Sequence, residues 1–283
     1  MKNAVNKFSA DKSVVRKSFV YLILVTASLM MIFPFIWMIL CAFKTPQEVI
    51  QFPPKFFPSR LQFINFAKAF SMAPFGRYFF NSIIVMILSV LSTTFVTILG
   101  SFAFSRLNFP GKSVVFSMLL SLMMIPFEML IITNYTTIVK MNLYNTIPAL
   151  VLPFVSSIFY TYILKNFFDT VPDSLYYSAR IDGASNWMYL WRVLVPMAKP
   201  SLFTIILLNA LSSWNSFMWP LYITSDYHSR TLPYGLQVFT TEAGSFPELL
   251  MAASTVIVLP MIILFIVARK YIVGGVSSGG LKG

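Results

Sequence analysis

Apolar residues recur along this chain in long unbroken runs, not in the one-sided stripes of a water-soluble helix. Six segments stay apolar for roughly 20 residues, the length at which a helix crosses the hydrocarbon core of a bilayer with its backbone groups paired internally. They cover approximately residues 19–43, 78–104, 114–133, 147–164, 202–224 and 249–267. Pro153 is expected to break the fourth and Pro220 the fifth, which neighbouring helices of a bundle tolerate. The stretches between them differ in kind. Residues 44–77 are rich in proline (Pro46, Pro53, Pro54, Pro58, Pro74) and read as an ordered extracytoplasmic cap, whereas residues 166–200 read as helical. No internal repeat or low-complexity tract is visible. The pattern predicts an all-α integral membrane protein with about six transmembrane helices. Residues 1–283 form one membrane domain, divided into an N-terminal anchor helix and external loop (1–77), a core of spans (78–270) and a cytoplasmic glycine-rich tail (271–283).

Composition sharpens this picture. Hydrophobic residues make up 57% and charged residues 11%, against about a quarter charged in soluble domains, and the mean hydropathy is +0.76. No hydrophilic block is long enough to fold as a soluble catalytic domain. The formal charge of +12 does not indicate nucleic acid, because the basic residues sit between apolar runs instead of gathering on one soluble face. They read as a topology signal. With both termini in the cytoplasm, the inner set is Lys2, Lys7, Lys12, Arg16, Lys17, Arg106, Lys112, Lys165, Arg180, Arg192, Lys199, Arg269, Lys270 and Lys282. The outer set, half as large, is Lys44, Lys55, Arg60, Lys68, Arg77, Lys140 and Arg230. The first run follows five basic residues, as a signal peptide would, but it far exceeds the 7 to 15 apolar residues usual there, so it reads as a retained anchor. Cys41 and His228 are each the only residue of their type, which leaves no intrachain disulfide and no protein-ligated metal site to expect.

Residues 170–196 carry two sets of helix signals on the predicted cytoplasmic side. Thr170 is placed to cap a helix with Pro172 and Asp173 in its first turn, where proline lacks only an already unpaired N–H and a carboxylate favours the dipole. Gly183 ends that helix, since glycine enters left-handed geometry without steric cost. Ser185 caps a second helix through Trp187 and Trp191, terminated by Pro196. Two short helices joined by a tight glycine turn suit a groove on a partner; taken alone, the turn is equally an ordinary helix end at the membrane surface.

The order Ala179-x-x-Asp182-Gly183-Ala184, followed by Leu194-x-Pro196-x-x-x-Pro200, resembles the EAA loop of binding-protein-dependent ABC importer permeases. The resemblance implies coupling helices that sit in a cleft of a cytoplasmic ATPase and convert its closure into helix motion. Tyr177 and Ser178 stand where glutamate and alanine are usual, so that glutamate's contact does not carry over. The C-terminal Gly274-Gly275-Val276-Ser277-Ser278-Gly279-Gly280-Leu281-Lys282-Gly283 resembles the tail of the maltose-transporter type of permease, which reaches into the ATPase dimer. That makes Gly279, Gly280 and Lys282 candidate contacts, with a frayed terminus as the plain alternative. This tail and the run Ser101-Phe-Ala-Phe-Ser-Arg106 point to the carbohydrate-uptake branch. The resemblance further implies a second homologous permease subunit, a cytoplasmic ABC ATPase dimer that binds ATP and Mg²⁺, and an extracytoplasmic solute-binding protein. It places the chain in a bacterial or archaeal cytoplasmic membrane, contacting lipid and no nucleic acid, with no cofactor of its own. Gly111-Lys112-Ser113 is not a P-loop, because Arg106 stands where that motif needs a glycine.

Candidates for the translocation route lie within the spans. Glu128 is a carboxylate inside a predicted span, and such a group lines a route, bonds a partner or makes a structural hydrogen bond near the helix end. The fifth span carries Asn209, Ser212, Ser213, Trp214 and Asn215. The first three share a helix face, with Ser156 and Tyr160 of the fourth span as candidate neighbours. Amides, hydroxyls and aromatic faces suit a sugar, although helix-to-helix hydrogen bonding accounts for the same residues. The last external loop, 225–247, with Asp226, His228, Arg230 and Glu242, resembles the region where related permeases meet their binding protein. Alternating access to a sugar or oligosaccharide is the expected function. The alternatives are a permease for a glycerophosphodiester or polyamine, a self-sufficient ion-driven carrier, for which inverted repeats are missing, and a membrane-embedded lipid-modifying enzyme, for which a charged intramembrane cluster is missing.

Overall fold

The computed structural model describes the backbone of residues 2–241 and 244–279 and the side chains of residues 17–240 and 245–268. The chain forms two compact units, Met1–Met72 with Val238–Val258, and Ala73–Gln237 with Leu259–Gly283.

The first unit opens with α1 (Lys2–Ala42), of which Lys17–Ala42 is apolar enough to cross a membrane. The segment after it is held by side chains that bond backbone. Lys44 is fully buried, its Nζ donating to the Lys55 carbonyl at 2.6 Å and lying 4.1 Å from the Trp37 ring centre, so its charge meets a carbonyl and a π face in place of water. Thr45 and Glu48 form a capping box at the start of α2 (Pro46–Ile50), and Glu48 also accepts from the Ser59 N–H at 3.0 Å. Hydrogen bonds from Ser59 and Thr45 favour the ionised carboxylate and lower its pKa to about 2. Asn65, on α3 (Ile64–Ser71), donates to the Ala42 and Lys44 carbonyls at 2.9 and 2.8 Å.

The second unit is organised on α4 (Phe75–Arg106), a 32-residue span without a break. The spans that follow are bent. The third consists of α5 (Lys112–Leu122), a 3₁₀ turn at Phe127–Leu130 and α6 (Ile131–Lys140), its halves turned by 93°. This corrects the expectation of one continuous helix over 114–133. Pro126 lacks an N–H and disfavours helical geometry at Ile125, so the helix cannot run on through it and ends at Leu122. The fourth consists of α7 (Ile147–Val151), a 3₁₀ turn at Leu152–Phe154 and α8 (Ile158–Thr170), bent by 49° where Pro153 predicts a break.

Next come α9 (Asp173–Ile181), α10 (Asn186–Tyr189), a π turn at Leu190–Leu194 and α11 (Val195–Met197). An 80° bend then leads into α12 (Lys199–Trp214), followed by α13 (Met218–Ile223). The break in the fifth span falls at residues 215–217, not at Pro220. Pro220 is the third residue of α13, where its missing N–H would have no intrahelical partner in any case. A one-turn helix, α14 (Leu232–Gly235), and a 3₁₀ turn at Leu236–Phe239 precede a two-residue hairpin. Its strands, β1 (Thr240–Thr241) and β2 (Gly244–Ser245), are antiparallel with Thr240 opposite Ser245. The last helix, α15 (Pro247–Gly279), is apolar enough to span over Pro247–Ala268. By length and composition, three long helices and three bent pairs allow up to six spans among the described residues.

Within the second unit α4 packs against both α8 and α12. One buried cluster joins Leu164 and Phe168 of α8 to Tyr189, Leu190, Leu194 and Ile205. A second joins Val85, Leu150, Trp219 and Ile223, with Trp219 Nε1 donating to the Ala149 carbonyl at 2.9 Å.

Candidate functional site

Serine and threonine recur on one side of α4. Ser82, Ser89, Thr93, Thr97 and Ser101 are all buried, at spacings of four or seven residues that return to one helix face. Such a face turns inward, because hydroxyls facing lipid would compete poorly with the backbone for partners. Thr93 Oγ1 donates to the Phe154 carbonyl at 2.6 Å, and Ser101 Oγ to the Thr161 carbonyl at 3.0 Å. Asn209 on α12 donates to the Ser89 carbonyl at 3.4 Å.

Between these helices lies a cavity of about 210 Å³. Val85, Ser89 and Thr93 form its α4 wall, while Ser156, Ser157 and Tyr160 come from the break and first turn of α8. Asn209, Ser212 and Ser213 come from α12, and Ser216 from the break that follows it. Phe154, Leu150 and Pro220 add apolar surface, and the Thr231 hydroxyl, which also lines the space, makes no hydrogen bond to protein. Among the residues lining the cavity none carries a formal charge at neutral pH. The two helix breaks matter here. Ser157 caps α8 by accepting from the Tyr160 N–H at 3.3 Å, so the unwound residues 155–157 present polar groups at mid-span, where an intact helix would pair them.

The structure thus brings five sequence candidates, Ser156, Tyr160, Asn209, Ser212 and Ser213, to one cavity. It leaves three elsewhere. Trp214 is buried with its ring edge-to-face on Phe79, Asn215 is the exposed C-cap of α12, and Glu128 is exposed on the 3₁₀ turn of the third span. Sequence reasoning missed the whole α4 wall. Its signal, small polar residues recurring near every fourth position inside the apolar run 78–104, was available in the spacing.

The second candidate element is the loop of α9 and α10. Ala184 N–H donates to the Ala179 carbonyl at 2.8 Å and Gly183 N–H to the Arg180 carbonyl at 3.1 Å, a Schellman ending that needs a left-handed residue at Gly183, where φ is +82°. Ser185 caps α10 through the Met188 N–H at 3.1 Å, and Tyr176 Oη donates to Asn186 Oδ1 at 2.8 Å, tying the two arms together. Two expectations are corrected. Thr170 belongs to the end of α8, its hydroxyl donating to the Phe167 carbonyl, and Pro172 occupies the cap of α9. Pro196 does not end the second arm but lies within α11, after a widened π turn. A proline ring clashes with the carbonyl four residues back, and the widened turn gives that carbonyl room.

Ala179 packs against the buried cluster, whereas Tyr177, Ser178, Asp182 and Gly183 are exposed and Ala184 is half-buried. Pro200 sits in the first turn of α12. Ile181 (86% exposed) and Trp187 (58%) stand out beside Tyr177, an apolar surface on a segment otherwise rich in polar residues. Of the C-terminal candidates, Gly279 is the last residue of α15, and Gly280 and Lys282 lie outside the described residues, as does Glu242 of the external loop. That loop is held by Asn81, whose Nδ2 donates to the His228 and Arg230 carbonyls, both at 2.9 Å. Asn145 adds a bond from its Nδ2 to Asp226 at 2.8 Å. Hydrogen bonds from Asn145 and the His228 N–H lower the pKa of Asp226.

Residues 96–278 match the family described as "Binding-protein-dependent transport system inner membrane component". The chain is 32% identical over 259 residues to the arabinooligosaccharides transport system permease protein AraQ of Halalkalibacterium halodurans, covering 89% of this chain and 91% of that protein. It is 34% identical over 270 residues to the trehalose/maltose transport system permease protein MalG of Thermococcus litoralis, covering 93% and 96%. Among solved structures, a chain of a bacterial ABC transporter involved in the import of the acidic polysaccharide alginate shares the fold, with a TM-score of 0.79 over 91% of this chain and 96% of that one, at 22% identity.

Proposed function

The chain belongs to the family of binding-protein-dependent transport system inner membrane components, and from that membership we propose that it is one of two homologous permease subunits of an ATP-driven importer for an uncharged sugar or oligosaccharide. It is a multi-pass membrane protein and not an enzyme. The observation that carries the substrate class is the cavity between α4, α8 and α12, lined by hydroxyls and an amide and by no formally charged side chain. A charged ligand brought there would leave a partly buried charge without a counter-ion, at a cost of several kcal/mol. A polyhydroxylated neutral ligand instead exchanges its water hydrogen bonds for those of Ser89, Ser213 and Asn209, and its C–H faces meet Tyr160 and Phe154. The names of the two relatives agree with such a ligand.

In this reading the exposed apolar surface of α9 and α10 docks into a cytoplasmic ATPase dimer, which binds ATP and Mg²⁺, and an extracytoplasmic binding protein delivers the ligand. Both termini face the cytoplasm, in accord with the excess of lysine and arginine in the inner set. Glycerophosphodiesters and strongly charged polyamines fit the uncharged wall less well.

The test is purification of the tagged chain from native membranes in mild detergent, with mass spectrometry of what accompanies it. A second permease and a P-loop ATPase are expected, and recovery of the chain alone overturns the reading. Reconstituted with its partners, the complex should accumulate neutral maltotriose or arabinotriose and not a uronic-acid trisaccharide; the reverse preference would overturn the neutral assignment while leaving the importer intact.

A further inference from the structure

The last residue of α4 faces the docking loop, not the cavity. The Arg106 side chain is 6% exposed, and its Nη1 pairs with Asp173 in the first turn of α9. Its Nη2 donates to the carbonyls of Phe168 and Val171, both at 2.6 Å. Both carbonyls lie at the C-terminus of α8, where Val171 is the C-cap and its N–H also donates to the Phe168 carbonyl, and a cation there is favoured by the helix dipole. One planar guanidinium therefore joins the end of α4, the end of α8 and the start of α9. The fully buried Tyr189 of α10 stands beside it.

Above this junction α4 is stapled to the fourth span, to α8 and to the turn before it. Ser105 Oγ donates to Asp169 at 2.7 Å, Ser101 Oγ to the Thr161 carbonyl, and Thr93 Oγ1 to the Phe154 carbonyl. Gly100 faces Thr161 across this contact, and a Cβ there would stand 3.4 Å from Thr161 Cγ2, within ordinary van der Waals contact. Thr93 and Ser89, further along α4, form the cavity wall, about 20 and 25 Å from Arg106 at the helical rise of 1.5 Å per residue.

We propose that Arg106 is the positioning residue that makes α9 move as one body with α4 and α8, so that displacement of the docking loop reaches the cavity wall at Thr93 and Ser89. The proposal rests on α9 and α10 being the ATPase-docking loop. A lysine does not replace the guanidinium, because a single ammonium cannot address a carboxylate and two carbonyls in that fixed fork.

The test is an electron–electron distance measurement on the full transporter with its partner permease and ATPase, using spin labels at Leu91→Cys on α4 and Ser174→Cys on α9 in a Cys41→Ala background. Both labelled sites are exposed. With Arg106 present, the separation is expected to be the same without nucleotide and after trapping with ATP and vanadate. With Arg106→Ala it shifts or broadens on trapping while ATP hydrolysis persists, and with Arg106→Lys the change is intermediate. A separation that changes on trapping in the Arg106 protein overturns the proposal, as does one that stays fixed in Arg106→Ala. If Arg106→Ala does not assemble, Asp173→Asn decides alone. Asp173 is 71% exposed, so its loss leaves the fold intact; broadening supports the proposal and its absence overturns it. Gly183→Asp separates the two levels. Retention of the ATPase by that variant refutes the docking loop itself, whereas loss of the ATPase together with distances insensitive to Arg106 refutes only the positioning role.

Discussion

Midway along α4 the buried side chains are Ser89, Thr93 and Thr97, while on the loop of α9 and α10 the exposed ones include Tyr177, Ile181 and Trp187. The cavity keeps polar groups inside an apolar run, and the loop keeps apolar groups on a polar segment. Each departs from the partition that solvation alone would produce, and each is held by backbone geometry that has already been satisfied. On α4 the Thr93 and Ser101 hydroxyls bond carbonyls of the fourth span, and the loop closes its own helix end at Gly183. The comparison teaches where function resides in a chain dominated by helix. It lies where the ladder of backbone bonds stops and side chains complete it, at residues 155–157 and 215–217 for the cavity and at residues 182–185 for the loop.

Substitutions break or sharpen this comparison to different degrees. The largest effect is expected for Gly183→Asp, which should reduce ATP-dependent uptake to background while the protein stays in the membrane at normal abundance by immunoblot. No atom lies within 4 Å of a Cβ at this site, so only the left-handed backbone resists, at about 1 kcal/mol. The loss would come from a side chain obstructing the docked turn, and normal uptake would sink the docking assignment. Ile181→Glu should lower ATPase recovery in pull-downs by about tenfold, the effect of placing a charge where an apolar anchor is buried. Unchanged recovery would mean that this apolar surface meets something other than the ATPase.

On the cavity side, Asn209→Ala should raise the KM for maltotriose or arabinotriose by about threefold to tenfold, the range for loss of one hydrogen bond, with little change in ATPase recovery. An effect on ATPase recovery and none on KM would invert the assignment of the two regions. The smallest effect is expected for Thr93→Val, which keeps the shape and removes the bond to the Phe154 carbonyl. It should cost about 1 kcal/mol of stability, seen as a modest fall in Tm in detergent.

Much of the loop was legible in the sequence because its signals are local. Gly183 has to be left-handed, and Ser185 caps the residues that immediately follow it. Thr170 was misread for the same reason in reverse, since two adjacent helix ends compete for one hydroxyl and the nearer carbonyl, Phe167, takes it. In the membrane, Asn209, Ser212 and Ser213 were recognisable by spacing, but Trp214 and Asn215, next to them in sequence, turn away from the cavity. A helix rotates by about 100° per residue, so adjacency in sequence does not mean a shared face.

The sequence by itself determined that this chain is a multi-span helical membrane protein, because lipid leaves the backbone no alternative to internal pairing, and it marked the turn at Gly183, because only backbone geometry is involved there. Tertiary structure decided the rest. It set the 93° bend of the third span, the cavity wall on α4 and the junction at Arg106, whose bonds join residues 62 to 67 positions apart. Such bonds depend on which helices lie side by side, and in a chain whose spans are nearly uniform in hydrophobicity that choice rests on packing; the spacing of the α4 hydroxyls marks a polar face but not the helix that meets it.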